Sequence, residues 1–131
     1  MNPPVLRYAL LSGVAYFCCM ALSHYSGIRL PLLFVYYDIP FYAYQDRIIA
    51  FAVVGYAAQF YTAARHRVVV PAALFTLGVT VLGLASINLS AALTSLLADG
   101  QTTTPYWIQT GLIAAYFLLL LVLYLRRGDD V

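Results

Sequence analysis

Charged side chains are absent from four long stretches of the chain: between Arg7 and His24, between Arg47 and Arg65, between Arg67 and Asn88, and between Tyr106 and Arg126. The apolar segments that fill them, 5–23, 48–64, 68–97 and 107–125, each approach or exceed the roughly 20 residues a helix needs to cross hydrocarbon. Polar positions then serve as a ruler. At the helical rise, Arg7 and His24 stand about 26 Å apart, Arg47 and Arg65 about 27 Å, and Tyr106 and Arg126 about 30 Å, against a hydrocarbon thickness of about 30 Å. Three segments measure out the same slab. The pattern predicts an all-α membrane protein, a bundle of four transmembrane helices with an aromatic-rich outer loop between helices 1 and 2. Its single domain covers residues 1–131, with spans near 5–23, 39–64, 68–97 and 106–125.

The third segment is too long for a simple crossing, because Arg67 to Asp99 as one straight helix would measure about 48 Å. Counted from Arg67, the slab is used up near Asn88, at about 31 Å. The remaining LSAALTSLL is expected as a helical extension at or above the outer surface. Pro71 falls in the first turn, where a missing amide donor is tolerated.

The stretch from Tyr36 to Arg47, YYDIPFYAYQDR, carries four tyrosines, a phenylalanine, two aspartates and an arginine. Tyrosine favours the headgroup layer, where its ring is in oil and its hydroxyl in water. Asp38 before Pro40 reads as a helix start near Ile39. Asp46 demands more, since a carboxylate beside hydrocarbon is costly unless paired, protonated or wet. Its sequence neighbour Arg47 points about 100° away on a helix, so its partner should come from another segment. Arg29 and His24 are the candidates.

The ruler brings His24, Asp46, Arg47, Asn88, Tyr106 and Gln109 to one depth, which outlines an outer-leaflet polar cluster with the tyrosine-rich loop as its lid. On this reading Asp46, Arg47, Asn88, Gln59, Tyr44 and Tyr106 are the ligand-binding candidates, and His24 and Asp46 the acid–base candidates, with no catalytic residue assigned. The alternative is that each polar group marks the membrane boundary and faces headgroups or water. On the second span, Gln45, Ala52, Gly55 and Gln59 share one helical face. Amides and small residues are expected to turn it toward the bundle interior. The spacings Ala9/Gly13, Ser86/Ser90 and Gly111/Ala115 suggest further close helix contacts. The run AYFLLLLVLYL in the fourth span reads as a surface for lipid or for another copy.

Composition agrees with the pattern: 63% of residues are hydrophobic and 9% charged, where a soluble domain carries about a quarter charged. A net charge of +2 with dispersed arginines excludes a nucleic-acid partner. Cys18 and Cys19 are adjacent, read as reduced small hydrophobes, and no Cys/His set has metal-ligand spacing, so neither metal nor cofactor is expected. With the N-terminus inside, Arg7, Arg65, Arg67, Arg126 and Arg127 lie inside and Arg29 and Arg47 outside. This bias favours two cytoplasmic termini and suits a bacterial inner membrane best. A competing reading makes residues 1–23 a cleaved signal peptide, with Arg7, the apolar run and the small residues Ala21 and Ser23 as its parts. The length of that run and the weak leader at Pro3 and Pro4 count against it.

No phosphate loop, nucleophile elbow, HExxH or ligand-spaced cysteine pair is present, and no span carries a carboxylate at mid-depth. The expected function is that of a non-catalytic subunit, assembly partner or oligomer, with membrane lipid and a membrane-protein partner or a second copy as its partners. The alternative is a protein that binds or processes a lipophilic small molecule, such as a lipid, sterol-like compound or quinone, under the tyrosine-rich loop. A small transporter or channel is the third reading, with the least support.

Overall fold

The computed structural model describes residues 2–28 and 43–126. Helix α1 spans Pro4–Ser26 and α2 spans Ala43–Arg65. A 3-10 turn, Arg67–Val69, leads into α3, Val70–Asn88, then a one-turn helix α4, Ala91–Thr94, and finally α5, Thr104–Leu125. No strand occurs among the described residues. Among the described residues, four helices are long and apolar enough to cross a bilayer, which makes the chain a multi-pass helical membrane protein.

Local chemistry sets the helix ends. Prolines stand in the first turns of α1, α3 and α5, where their missing N–H removes a donor that had no partner anyway. Gly27 ends α1 in the left-handed region at φ 74°, its N–H bonded to the Ser23 carbonyl, a conformation that side chains with a Cβ resist. Inside the spans, hydroxyls bond back to the preceding turn: Ser12 to Ala9, Thr62 to Ala58, Thr76 to Ala72 and Thr80 to Thr76. Each polar group is thereby satisfied without water.

Contacts at the two ends fix an up-down-up-down arrangement. At one end the Asn2 amide donates to the carbonyls of Ala63 (2.6 Å) and Ala64 (3.1 Å), closing the last turn of α2. There too, Arg67 donates to the Tyr124 carbonyl at 2.6 Å and lies over the Tyr124 ring. At the other end His24 meets Asp46, and Asn88 meets Thr110. The most extensive packing joins α1 to α2, then α3 to α5, while α2–α3 and α1–α5 form narrower seams that close the ring. Phe60 sits at the junction, fully buried, edge-on to Phe17 and stacked over Tyr116.

The third apolar segment, expected as a continuous 68–97 span with an extension, divides. Helix α3 stops at Asn88, where the slab should end. Ser90 then turns extended (φ −90°, ψ 156°), and only the single turn Ala91–Thr94 follows before a turn-rich connection. The expected start of the second helix near Ile39, with Asp38 and Pro40, lies outside the described residues. So do Arg29, most of the tyrosine-rich loop and Arg127.

The rotation of α2 differs from expectation. Its buried face is Ala50, Val53, Ala57, Phe60, Ala63 and Ala64, whereas Gln45, Ala52 and Gly55 are exposed. In hydrocarbon both faces of a helix are apolar enough, so shape decides which one packs. The alanine-rich edge lets α1 approach and leaves one large hole for Phe60. The small-residue spacings divide similarly: Ala9/Gly13 makes a close contact, whereas Ser86, Gly111 and Ala115 are exposed.

Candidate functional site

The polar residues at the far end of the bundle form two groups on different helix pairs. In the first, the C-terminal turn of α1 faces the N-terminal turn of α2, and Nδ1 of His24 stands 3.0 Å from Oδ1 of Asp46. The tautomer with its proton on Nδ1 donates to the carboxylate. The two side chains are 26% and 23% exposed, at the depth where an unpaired carboxylate would be penalised. One residue further along each helix, the Arg47 guanidinium lies 5.2 Å from the centre of the Tyr25 ring, which also leans on Phe51. The partner sought for Asp46 is thus His24, and Arg47 turns to an aromatic face.

Asn88 belongs to the second group. It is 5% exposed, and its amide donates to the Thr110 hydroxyl at 2.8 Å and more weakly to the Tyr106 carbonyl at 3.4 Å. Thr110 in turn donates to that same carbonyl at 2.9 Å. This closed triangle fastens the end of α3 to the first turns of α5. Among the described residues no hydrogen bond joins it to the His24–Asp46 pair. Gln59 lies deeper, half-buried, its carbonyl accepting from Thr76 on α3 at 2.7 Å. Tyr44 is 79% exposed.

A histidine oriented by a carboxylate is the arrangement that activates a nucleophile when a hydroxyl or thiol completes it. Among the described residues no hydroxyl or thiol is hydrogen-bonded to His24. What the pair does in this arrangement is fasten α1 to α2 and give a boundary carboxylate a hydrogen-bond partner. A double-mutant cycle on His24→Ala and Asp46→Ala is expected to give a coupling of about 0.5–1 kcal/mol, small because both groups are partly wet. Reversible unfolding in detergent micelles measures it. A coupling near zero would show that the two side chains do not hold each other.

Several polar contacts escaped the spacing argument. Asn2 precedes two prolines and carries no periodic signal, yet it caps α2. Arg67 entered as a cytoplasmic-side arginine and as the start of the third span, yet it clamps the end of α5. Tyr116 sits in an oily run, yet its hydroxyl reaches the Ala9 carbonyl of α1 at 2.7 Å. Each depends on a neighbour far along the chain. No protein-family model, curated protein or solved structure matches this chain.

Proposed function

We propose that the protein is a non-catalytic integral-membrane subunit that assembles, with a second copy or another membrane protein, through the outer faces of its helices. The observation that carries this reading is the outward face of α2. Gln45, Ala52 and Gly55 lie there, and a Cβ added at Gly55 would meet nothing within 4 Å. Small residues that leave open space against lipid forgo van der Waals contact, while a facing helix can fill that space closely. Gly111 and Ala115 on α5 present a second such edge. On the arginine bias, the end with Asn2 and Arg67 faces the cytoplasm and both termini lie there, in a bacterial inner membrane.

Two features weigh against the rival readings. A lipophile pocket built from His24, Asp46 and Asn88 needs their polar atoms to converge, and they engage different partners on different helix pairs. A channel needs a polar path past Gln59, and Phe17, Phe60 and Tyr116 pack across the middle of the bundle.

In a background with Cys18 and Cys19 replaced by alanine, single cysteines at Gly55 and Gly111 are expected to cross-link in native membranes. A cysteine at the broadly exposed Leu82 should not. Gentle extraction should yield an assembly larger than one chain. A strict monomer with no cross-link at either position would overturn the proposal.

A further inference from the structure

We infer that a cleft at the basic end of the bundle binds the phosphate of an anionic phospholipid headgroup, independently of whether the chain assembles. The cleft, of about 310 Å³, is lined by Arg7, Ala64, Arg65 and His66. Arg7 comes from the first turn of α1, Arg65 is the last residue of α2, and His66 is the single residue between α2 and the following 3-10 turn. Two arginines and a histidine from separate elements therefore border one opening.

Nothing among the described residues neutralises them. Of the described acidic residues, Asp46 is bonded to His24 at the opposite end and Asp99 lies in the α4–α5 connection, also at that end. The Arg7 side chain has no hydrogen-bond or ion-pair partner among the described residues. Arg65 donates one N–H to the Tyr61 hydroxyl at 3.0 Å, which holds the guanidinium in place and leaves its other donors for a ligand. Arg65 also lies 5.8 Å from the centre of the Tyr61 ring, whereas Arg67 spends an N–H on the Tyr124 backbone carbonyl and lies over that ring. The carbonyls of Ala63 and Ala64, which would present the negative end of α2 to an anion, are taken up by the Asn2 amide.

The chemistry selects phosphate, and the position selects lipid. A guanidinium offers two parallel donors that match two phosphate oxygens, and two such groups suit a singly charged phosphodiester. The cleft lies at the ends of two membrane spans, the depth of headgroup phosphates. The sequence flanking its arginine and histidine is apolar: Val5 and Tyr8 near Arg7 and Val68 just past His66 are all strongly exposed. A soluble phosphate ester has no use for those flanks; acyl chains do.

The test uses the full-length protein, delipidated in a neutral detergent. Retained lipid is counted by native mass spectrometry after titration with dioleoyl-phosphatidylglycerol, dioleoyl-phosphatidylcholine or inorganic phosphate. Phosphatidylglycerol is expected to bind at least about tenfold more tightly than phosphatidylcholine. Arg7→Gln and Arg65→Gln should each weaken phosphatidylglycerol about tenfold, and Arg7→Lys by less, since it keeps the charge and loses the fork. Arg126→Gln, outside the cleft, should leave binding unchanged, and the Lys variant serves should Arg7→Gln fail to fold. Equal affinity for the two lipids, wild-type binding by both glutamine variants, or competition by inorganic phosphate at concentrations equal to the lipid would overturn the assignment.

Discussion

Replacing Phe60 by alanine is expected to destabilise the bundle by about 3–5 kcal/mol, the range for deleting a buried aromatic ring. Phe60 is 0% exposed. It touches the Phe17 ring of α1 edge-on at 5.0 Å and stacks on Tyr116 of α5 at 6.4 Å, so one side chain from α2 joins three helices. In hydrocarbon the hydrophobic effect does not drive helices together, and dispersion between well-fitted surfaces carries more of the association. The ring's removal leaves a void that neither lipid nor water fills well. Unfolding by a denaturing detergent measures the loss. A change below about 1 kcal/mol would mean that this junction is loosely filled and that the stability lies elsewhere.

The second large effect is expected at Gly13. A Cβ built there would collide with the Tyr116 hydroxyl and stand 2.9 Å from Cδ1 of Phe60, so Gly13→Ala should cost about 2–3 kcal/mol through overpacking. The hydroxyl cannot simply withdraw, because it donates to the Ala9 carbonyl one turn away. Tyr116→Phe alone should cost about 1 kcal/mol, the net worth of that hydrogen bond. Combined with Gly13→Ala, it should recover about 1 kcal/mol or more of the glycine's loss, since the offending oxygen is gone. A double-mutant cycle checks this. Strict additivity would place the clash somewhere other than the hydroxyl.

Much of the fold was legible because helical rise is constant. Charged and amide positions spaced by a membrane's thickness put the end of the third crossing at Asn88, where α3 stops. The same arithmetic brought His24 level with Asp46, and the need to pair a boundary carboxylate pointed to another segment. Rotation was not legible. On α2 the amide and small-residue face, Gln45, Ala52 and Gly55, looked interior, yet the bundle buries the alanine face with Phe60. In water an amphipathic stripe marks the inside of a helix; in oil that mark fades, and fit between side chains takes its place. Gln59 illustrates the point, its carbonyl met at a helix edge by one threonine without the side chain being enclosed. For the candidate site, equal depth did not mean contact. Asn88 shares its level with His24 and Asp46 but is turned toward Thr110, a choice set by helix azimuth, which spacing does not encode.

The unequal packing around the ring has a consequence for biogenesis. The chain is two antiparallel pairs, first α1 with α2 and then α3 with α5, leaning together along thinner seams. Every residue of the earlier pair, including the Asn2 cap and the His24–Asp46 link, precedes the later pair in the chain. Insertion can therefore proceed pair by pair, leaving Tyr116 at Gly13 and Thr76 at Gln59 among the contacts that join the two halves afterwards.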